Sequence, residues 1–165
     1  FIFLLLLGFG WAKPVPFNPY NLKDPKWDSV KIALAGPTSN FILAVLSALM
    51  LRVLIGSQII TSLNLLVVFL FLMLLLNLFL MFFNLVPVHP LDGSKLVFAL
   101  LDHPKHAKLR HMIMTQGQTI LTILVFIAIL TPINVFFFVT APSFATCDIL
   151  LGDSCIGFFN AIFSF

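Results

Sequence analysis

The sequence predicts an all-α fold, a polytopic transmembrane helix bundle with a proline-broken helix near a candidate active site. Three observations predict it. Of 165 residues, 61% are hydrophobic and only 9% are charged, against about 25% charged in a soluble domain. Two stretches, 53–91 and 111–147, contain no Asp, Glu, Lys or Arg, and each exceeds the roughly 20 apolar residues that cross a bilayer. Pro87 and Pro90 then close the longer charge-free stretch, because proline cannot continue a helix.

The elements follow in order, as a single transmembrane domain over 1–165. Residues 1–7 read as the end of a helix, broken at 8–10. The chain opens inside this apolar run, without the basic leader and cleavage site of a signal peptide. The expectation is a piece of a longer protein, cut within a helix. Residues 11–28 form a loop with Pro14, Pro16, Pro19 and Pro25 and with Lys13, Lys23 and Lys26; such proline spacing favours extended backbone.

The first full span is 30–55. Gly36-Pro37 is expected to interrupt its start, and Arg52 to reach the headgroups from its far end. A short turn at 56–62 leads to the second span, 63–86, about 36 Å long at helical rise. Residues 92–110 form a loop or short interfacial helix with four basic residues. The third span is 111–130, stopped by Pro132. Beyond it, 133–139 continues at an angle or re-enters, 141–154 reads as a polar loop, and 156–165 is too short to cross alone. The arrangement of 132–165 stays open.

Charge sets the orientation. The balance is +3, all nine Lys and Arg lie at or before Arg110, and all six acids are Asp. Loops 11–28 and 92–110 are separated by two spans, so they share a side. Both are basic, which places them in the cytoplasm. The segments 56–62 and 141–154 lack Lys and Arg and fall outside. In a chain this apolar, the basic balance points to a lipid bilayer and not to nucleic acid. Cys147 and Cys155 lie on the outer side, where a disulfide is open to them in an oxidising compartment.

Asp92 is the residue to explain. It is the first charge after 53–91 and follows the proline-closed helix. Acidic groups at membrane depth usually have a partner or a job. The plain alternative is a turn residue that caps a helix starting near Ser94.

The surrounding residues bear on this. Asn84-Leu85-Val86-Pro87-Val88-His89-Pro90-Leu91-Asp92-Gly93 resembles the N-x-x-P-x-x-P-L-D-G segment of the site-2 protease family of intramembrane zinc metalloproteases, peptidase family M50. Gly10-Trp11-Ala12-Lys13-Pro14-Val15-Pro16, Asn18-Pro19 and Ala35-Gly36-Pro37-Thr38-Ser39-Asn40 resemble two further segments of its bacterial branch. The resemblance covers 1–99. It implies a catalytic zinc in the membrane of a bacterial cell, held by two His of an H-E-x-x-H helix and by Asp92. Asn84 matches a residue that steadies the substrate or the charged intermediate. The implied activity is hydrolysis of a membrane protein or peptide substrate by zinc-activated water.

The sequence departs from that pattern in one respect: it has no H-E-x-x-H and no Glu. The resemblance places both upstream of Phe1. His103, His106 and His111 lie in a basic loop, where solvated imidazoles are the simpler reading. His89, three residues before Asp92, is either an imidazole facing water or a partner that orients the metal ligand. Asn40, Asn64 and Asn77 are expected to tie helices together through hydrogen bonds. The segment 13–20 is either a rigid connector or an extended edge that holds substrate. The rival reading is a non-enzymatic membrane transporter or assembly subunit, with Asp92 as a cap or an ion-path carboxylate; a catalytically inactive relative is a third.

Overall fold

The computed structural model describes residues 23–56, 64–101 and 104–163. The expectations for 1–22, for most of the turn at 56–62 and for His103 lie outside these residues. All the described secondary structure is helical.

Helix α1 spans Pro25–Gly56. It starts earlier than the predicted 30 because Asp24 caps it. The Asp24 carboxylate accepts hydrogen bonds from the amides of Lys26 (3.1 Å) and Trp27 (3.2 Å). Pro25 takes the first helical position, where a missing amide costs nothing. Gly36-Pro37 does not interrupt the helix, contrary to expectation. Proline forfeits one bond, to the Ala33 carbonyl. Burial of Ala33, Ala44, Ala48 and Leu51 along one face outweighs that loss.

Helix α2 spans Leu65–Asn84. Asn64 caps it, its side-chain oxygen accepting from the Leu66 amide at 2.9 Å. The buried residues Val67, Leu70, Phe71, Leu74, Leu75 and Leu78 recur every three or four positions, one helical face. They form the core with Ala44, Ala48 and Leu51 of α1, whose small alanines let the two backbones approach closely. Leu65, Phe69, Leu76 and Leu80 stay exposed, as lipid-facing residues do in a bundle.

Helix α3, Gly93–Leu100, occupies the first half of the predicted loop 92–110. A 3₁₀ turn at Pro104–His106 leads into α4, Ala107–Leu130, which starts earlier than the predicted 111. Helix α4 buries only Gly117 and Leu121. The polar loop predicted at 141–154 is instead mostly helix: α5 spans Phe137–Leu151, and α6, Cys155–Phe163, follows at a bend of 94°. The misleading polar residues are satisfied inside α5. Ser143 Oγ donates to the Val139 carbonyl and Thr146 Oγ1 to that of Pro142, both at 2.7 Å.

Gly152 ends α5 at φ +75°, a conformation that favours glycine. Asp148 accepts from the Cys155 amide at 2.7 Å and so caps α6. Cys147 and Cys155 form a disulfide across the elbow, both fully buried.

Helices α1, α2 and α4 are each long and apolar enough to cross a bilayer; α5 and α6 pass that test only as a bent pair. Ring contacts set the direction of packing. Phe83 meets Phe136, Phe79 meets Phe144 and Phe71 meets Phe158, so the 136–158 segment runs antiparallel to α2. Gly36, Asn84 and Asp92 therefore mark one end of the bundle, and Arg52, Gly56 and the disulfide elbow mark the other.

Candidate metal centre

The candidate centre is built where α2 stops. The Leu85 amide closes the helix on the carbonyls of Met81 and Phe82, each at 3.2 Å. Pro87 and Pro90 have no amide hydrogen, so the next residues cannot rejoin a helical ladder. They form tight local turns instead, Val88 N to Val86 O at 2.8 Å and Leu91 N to Val88 O at 2.9 Å. The His89-Pro90 peptide is cis. Leu91 is buried and anchors the turn, and Ser94 Oγ donates to its carbonyl at 2.7 Å.

Gly93 brings the two ends of this loop together. A β-carbon there would stand 2.5 Å from the Leu85 carbonyl carbon and 2.6 Å from the Val86 oxygen. No side chain fits, because both neighbours are backbone. The sequence L-D-G thus folds back against Leu85 and Val86, just beyond the end of α2. Asn84 is half-buried as the last residue of α2.

Asp92 occupies the N-cap position of α3, with φ −64° and ψ −30°, yet its side chain makes no capping bond. A cap residue ordinarily has extended backbone, which aims its oxygen at the next amides. Here Oδ1 accepts from Lys95 Nζ at 3.0 Å. Oδ2 is turned toward α1, 3.5 Å from where a β-carbon on Gly36 would lie. The Asp92 side chain is 33% exposed. Next to Gly36, an apolar groove of about 280 Å³ runs between α1 and α2, lined by Leu34, Pro37, Thr38, Phe41, Met81 and Leu85.

His89 is exposed. Its backbone rests against Gly117 of α4, where an added β-carbon would come within 2.6 Å of the His89 oxygen and 2.9 Å of its nitrogen. Of the two, Lys95 and not His89 is hydrogen-bonded to the Asp92 carboxylate. Sequence reasoning missed Lys95. The signal was its i,i+3 spacing from Asp92, usable only once α3 is known to start at Gly93. His106 and His111 are exposed, on the 3₁₀ turn and on α4.

The asparagines differ from expectation too. Asn77 is buried, but it donates to the Met73 carbonyl of its own helix at 2.8 Å, and Asn64 is the cap of α2.

Among the described residues, no group of three or more His, Cys, Asp or Glu could hold a metal ion. Asp92 by itself suits one. It is a carboxylate oxygen donor, which zinc accepts; it is partly accessible, and its own helix N-terminus does not use it. It would be one ligand of a set.

Comparison with known proteins agrees with these features. Residues 60–130, which hold the whole Asn84–Asp92 loop and all of α4, match the family model described as Peptidase family M50. The chain is 32% identical over 167 residues to "Putative zinc metalloprotease YwhC" of Bacillus subtilis (strain 168), an alignment covering 98% of this chain and 70% of that protein. No solved structure matches it. With its all-helical fold and its apolar spans, the chain belongs to peptidase family M50, a family of membrane metalloproteases.

Proposed function

We propose that this chain carries the carboxylate ligand of an intramembrane zinc endopeptidase that cleaves membrane-embedded proteins. One observation carries the reading: the Asp92 carboxylate stands at a proline-broken helix end, uncapped, with one oxygen turned toward α1 at Gly36. The sequence has no H-E-x-x-H and no Glu. The two remaining ligands and the general base are therefore assigned to residues outside it, and the B. subtilis relative does extend beyond the aligned region.

Asp92 would hold the metal and Asn84, at the same end of the bundle, would hydrogen-bond the substrate backbone. A bound zinc supplies Lewis-acid polarisation and acidifies water. The chain's own residues do the rest. Gly93 and the two prolines keep the loop backbone out of helical pairing beside the ligand. The apolar groove at Pro37 and Leu85 offers a seat for a substrate side chain close to the ligand. A helical substrate has to be opened locally, since its amides are otherwise satisfied.

The charge pattern supports a multi-pass protein of a bacterial cell membrane with this corner on the cytoplasmic side. Lys26 and Lys31 at the start of α1, and Lys95 beside Asp92, lie at this end. The disulfide elbow lies at the other, as an oxidising exterior favours.

The test is metal analysis of the full-length protein in detergent. The expected result is about one zinc per chain, as in single-metal proteases, lost together with peptide cleavage in Asp92→Ala. Zinc retained at the wild-type level in that variant rules the proposal out. A transporter or an assembly subunit would hold no stoichiometric zinc in either form.

A further inference from the structure

We infer that Gly117 of α4 is a positioning residue for the Asp92 loop: it seats the backbone of His89 and thereby fixes where the carboxylate stands. The inference rests on the metal reading only for its zinc readout.

Buried Leu91 and its bond from Ser94 anchor the C-terminal end of the loop; the stretch around His89 has less to hold it. Its internal bonds, Val88 to Val86 and Leu91 to Val88, shape the turns, and the bonds from Ser94 tie Leu91 to the start of α3. Pro87 and Pro90 cannot donate at all. Gly93 closes the loop onto its own beginning at Leu85 and Val86. Glycines of two other helices approach the loop, one on each side. On one, the Asp92 carboxylate lies toward Gly36 of α1. On the other, α4 presents Gly117, where a β-carbon would meet the His89 oxygen at 2.6 Å, its nitrogen at 2.9 Å and its β-carbon at 3.1 Å.

Two of those neighbours are backbone atoms, which cannot swing away as a side chain can. An alanine at this position must push α4 off the loop or push the loop toward α1. The rest of α4 offers little resistance to separation, because only Gly117 and Leu121 are buried on it. They lie four residues apart, on one face of the helix. The contact at Gly117 is therefore a narrow seam, and His89 contributes to it through its main chain. Three residues on, the displacement reaches Asp92. Partners that orient a metal ligand typically change affinity by about 10–100-fold when lost.

The experiment compares Gly117→Ala, Gly117→Val and Leu121→Ala in the full-length protein, using two readouts. One is hydrogen exchange of the peptide covering 85–92, which needs no metal. The other is zinc affinity by chelator competition. The expected result for Gly117→Ala is exchange at least about tenfold faster in 85–92, with α1 and α2 unchanged, and about tenfold weaker zinc binding. Gly117→Val is expected to exceed it on both. Leu121→Ala, which thins the same seam without pushing on His89, is expected to lower thermal stability and leave both readouts within about twofold. Wild-type exchange in Gly117→Ala overturns the inference. So does faster exchange with unchanged zinc affinity, and so does an equal effect from Leu121→Ala. If Asp92→Ala keeps its zinc, the metal reading falls, and Gly117 is then decided by exchange alone.

Discussion

Arg52 of α1 donates its Nε hydrogen to the carbonyl of Leu151, 2.9 Å away and 99 residues along the chain, and an Nη2 hydrogen to that of Ile149 at 3.4 Å. The sequence suggested a side chain reaching for headgroups; it caps α5 instead. The last carbonyls of a helix lack partners within it, and they carry the negative end of the helix dipole. A guanidinium meets both needs. The contact is crowded, since a β-carbon on Gly152 would collide with Arg52. Arg52→Gln is expected to cost about 1–2 kcal/mol, the low end for charge-assisted bonds because Arg52 is exposed. It should lower the thermal midpoint in detergent, with Arg52→Lys in between. A wild-type midpoint in Arg52→Gln would mean that the contact contributes nothing net.

The elbow between α5 and α6 turns through 94° within a few residues and is held by the Cys147–Cys155 disulfide and the Asp148 cap. A crosslink closing so short a loop stabilises by about 2–3 kcal/mol on the chain-entropy estimate. Replacing both cysteines with serine is expected to lower stability by that amount and to speed hydrogen exchange in 152–163. Both cysteines are fully buried, so mild reductant should leave the native bond intact and break it only on unfolding. Rapid reduction at a temperature well below the midpoint would show an elbow that opens freely.

Much of the fold was legible because lipid leaves few alternatives. Charge-free runs located α2 and most of α4, since a buried backbone in hydrocarbon has to be helical. The helix breaks were less legible. Gly36-Pro37 looks like an interruption, but a helix with a long packed face absorbs one missing bond. The stretch 141–154 looks like a loop because Thr, Ser, Cys and Asp crowd it, yet the hydroxyls of Ser143 and Thr146 bond back to their own helix, a satisfaction invisible to composition. At the candidate centre, Asp92 and Asn84 were found by their spacing around the prolines. Lys95 and Gly117 were not. The first needs the start of α3, and the second needs the packing of a helix 25 positions beyond Asp92, which no local pattern contains.

The groove between α1 and α2 gives the most direct test of how substrate approaches. Its lining is apolar apart from Thr38, which is exposed at its edge. Its volume, about 280 Å³, suits one large apolar side chain. Both of its walls adjoin the candidate ligand, Pro37 following Gly36, which faces Asp92, and Leu85 packing on Gly93. Thr38→Trp is expected to fill the groove without touching the Asp92 corner. Zinc content and thermal midpoint should stay at wild-type values, while kcat/KM for a membrane-embedded substrate falls about 10–100-fold, the range over which a lost apolar contact discriminates substrates. Phe41→Ala widens the same groove and should shift preference toward bulkier residues beside the cut. Unchanged cleavage by Thr38→Trp would place the substrate elsewhere and leave the groove to lipid.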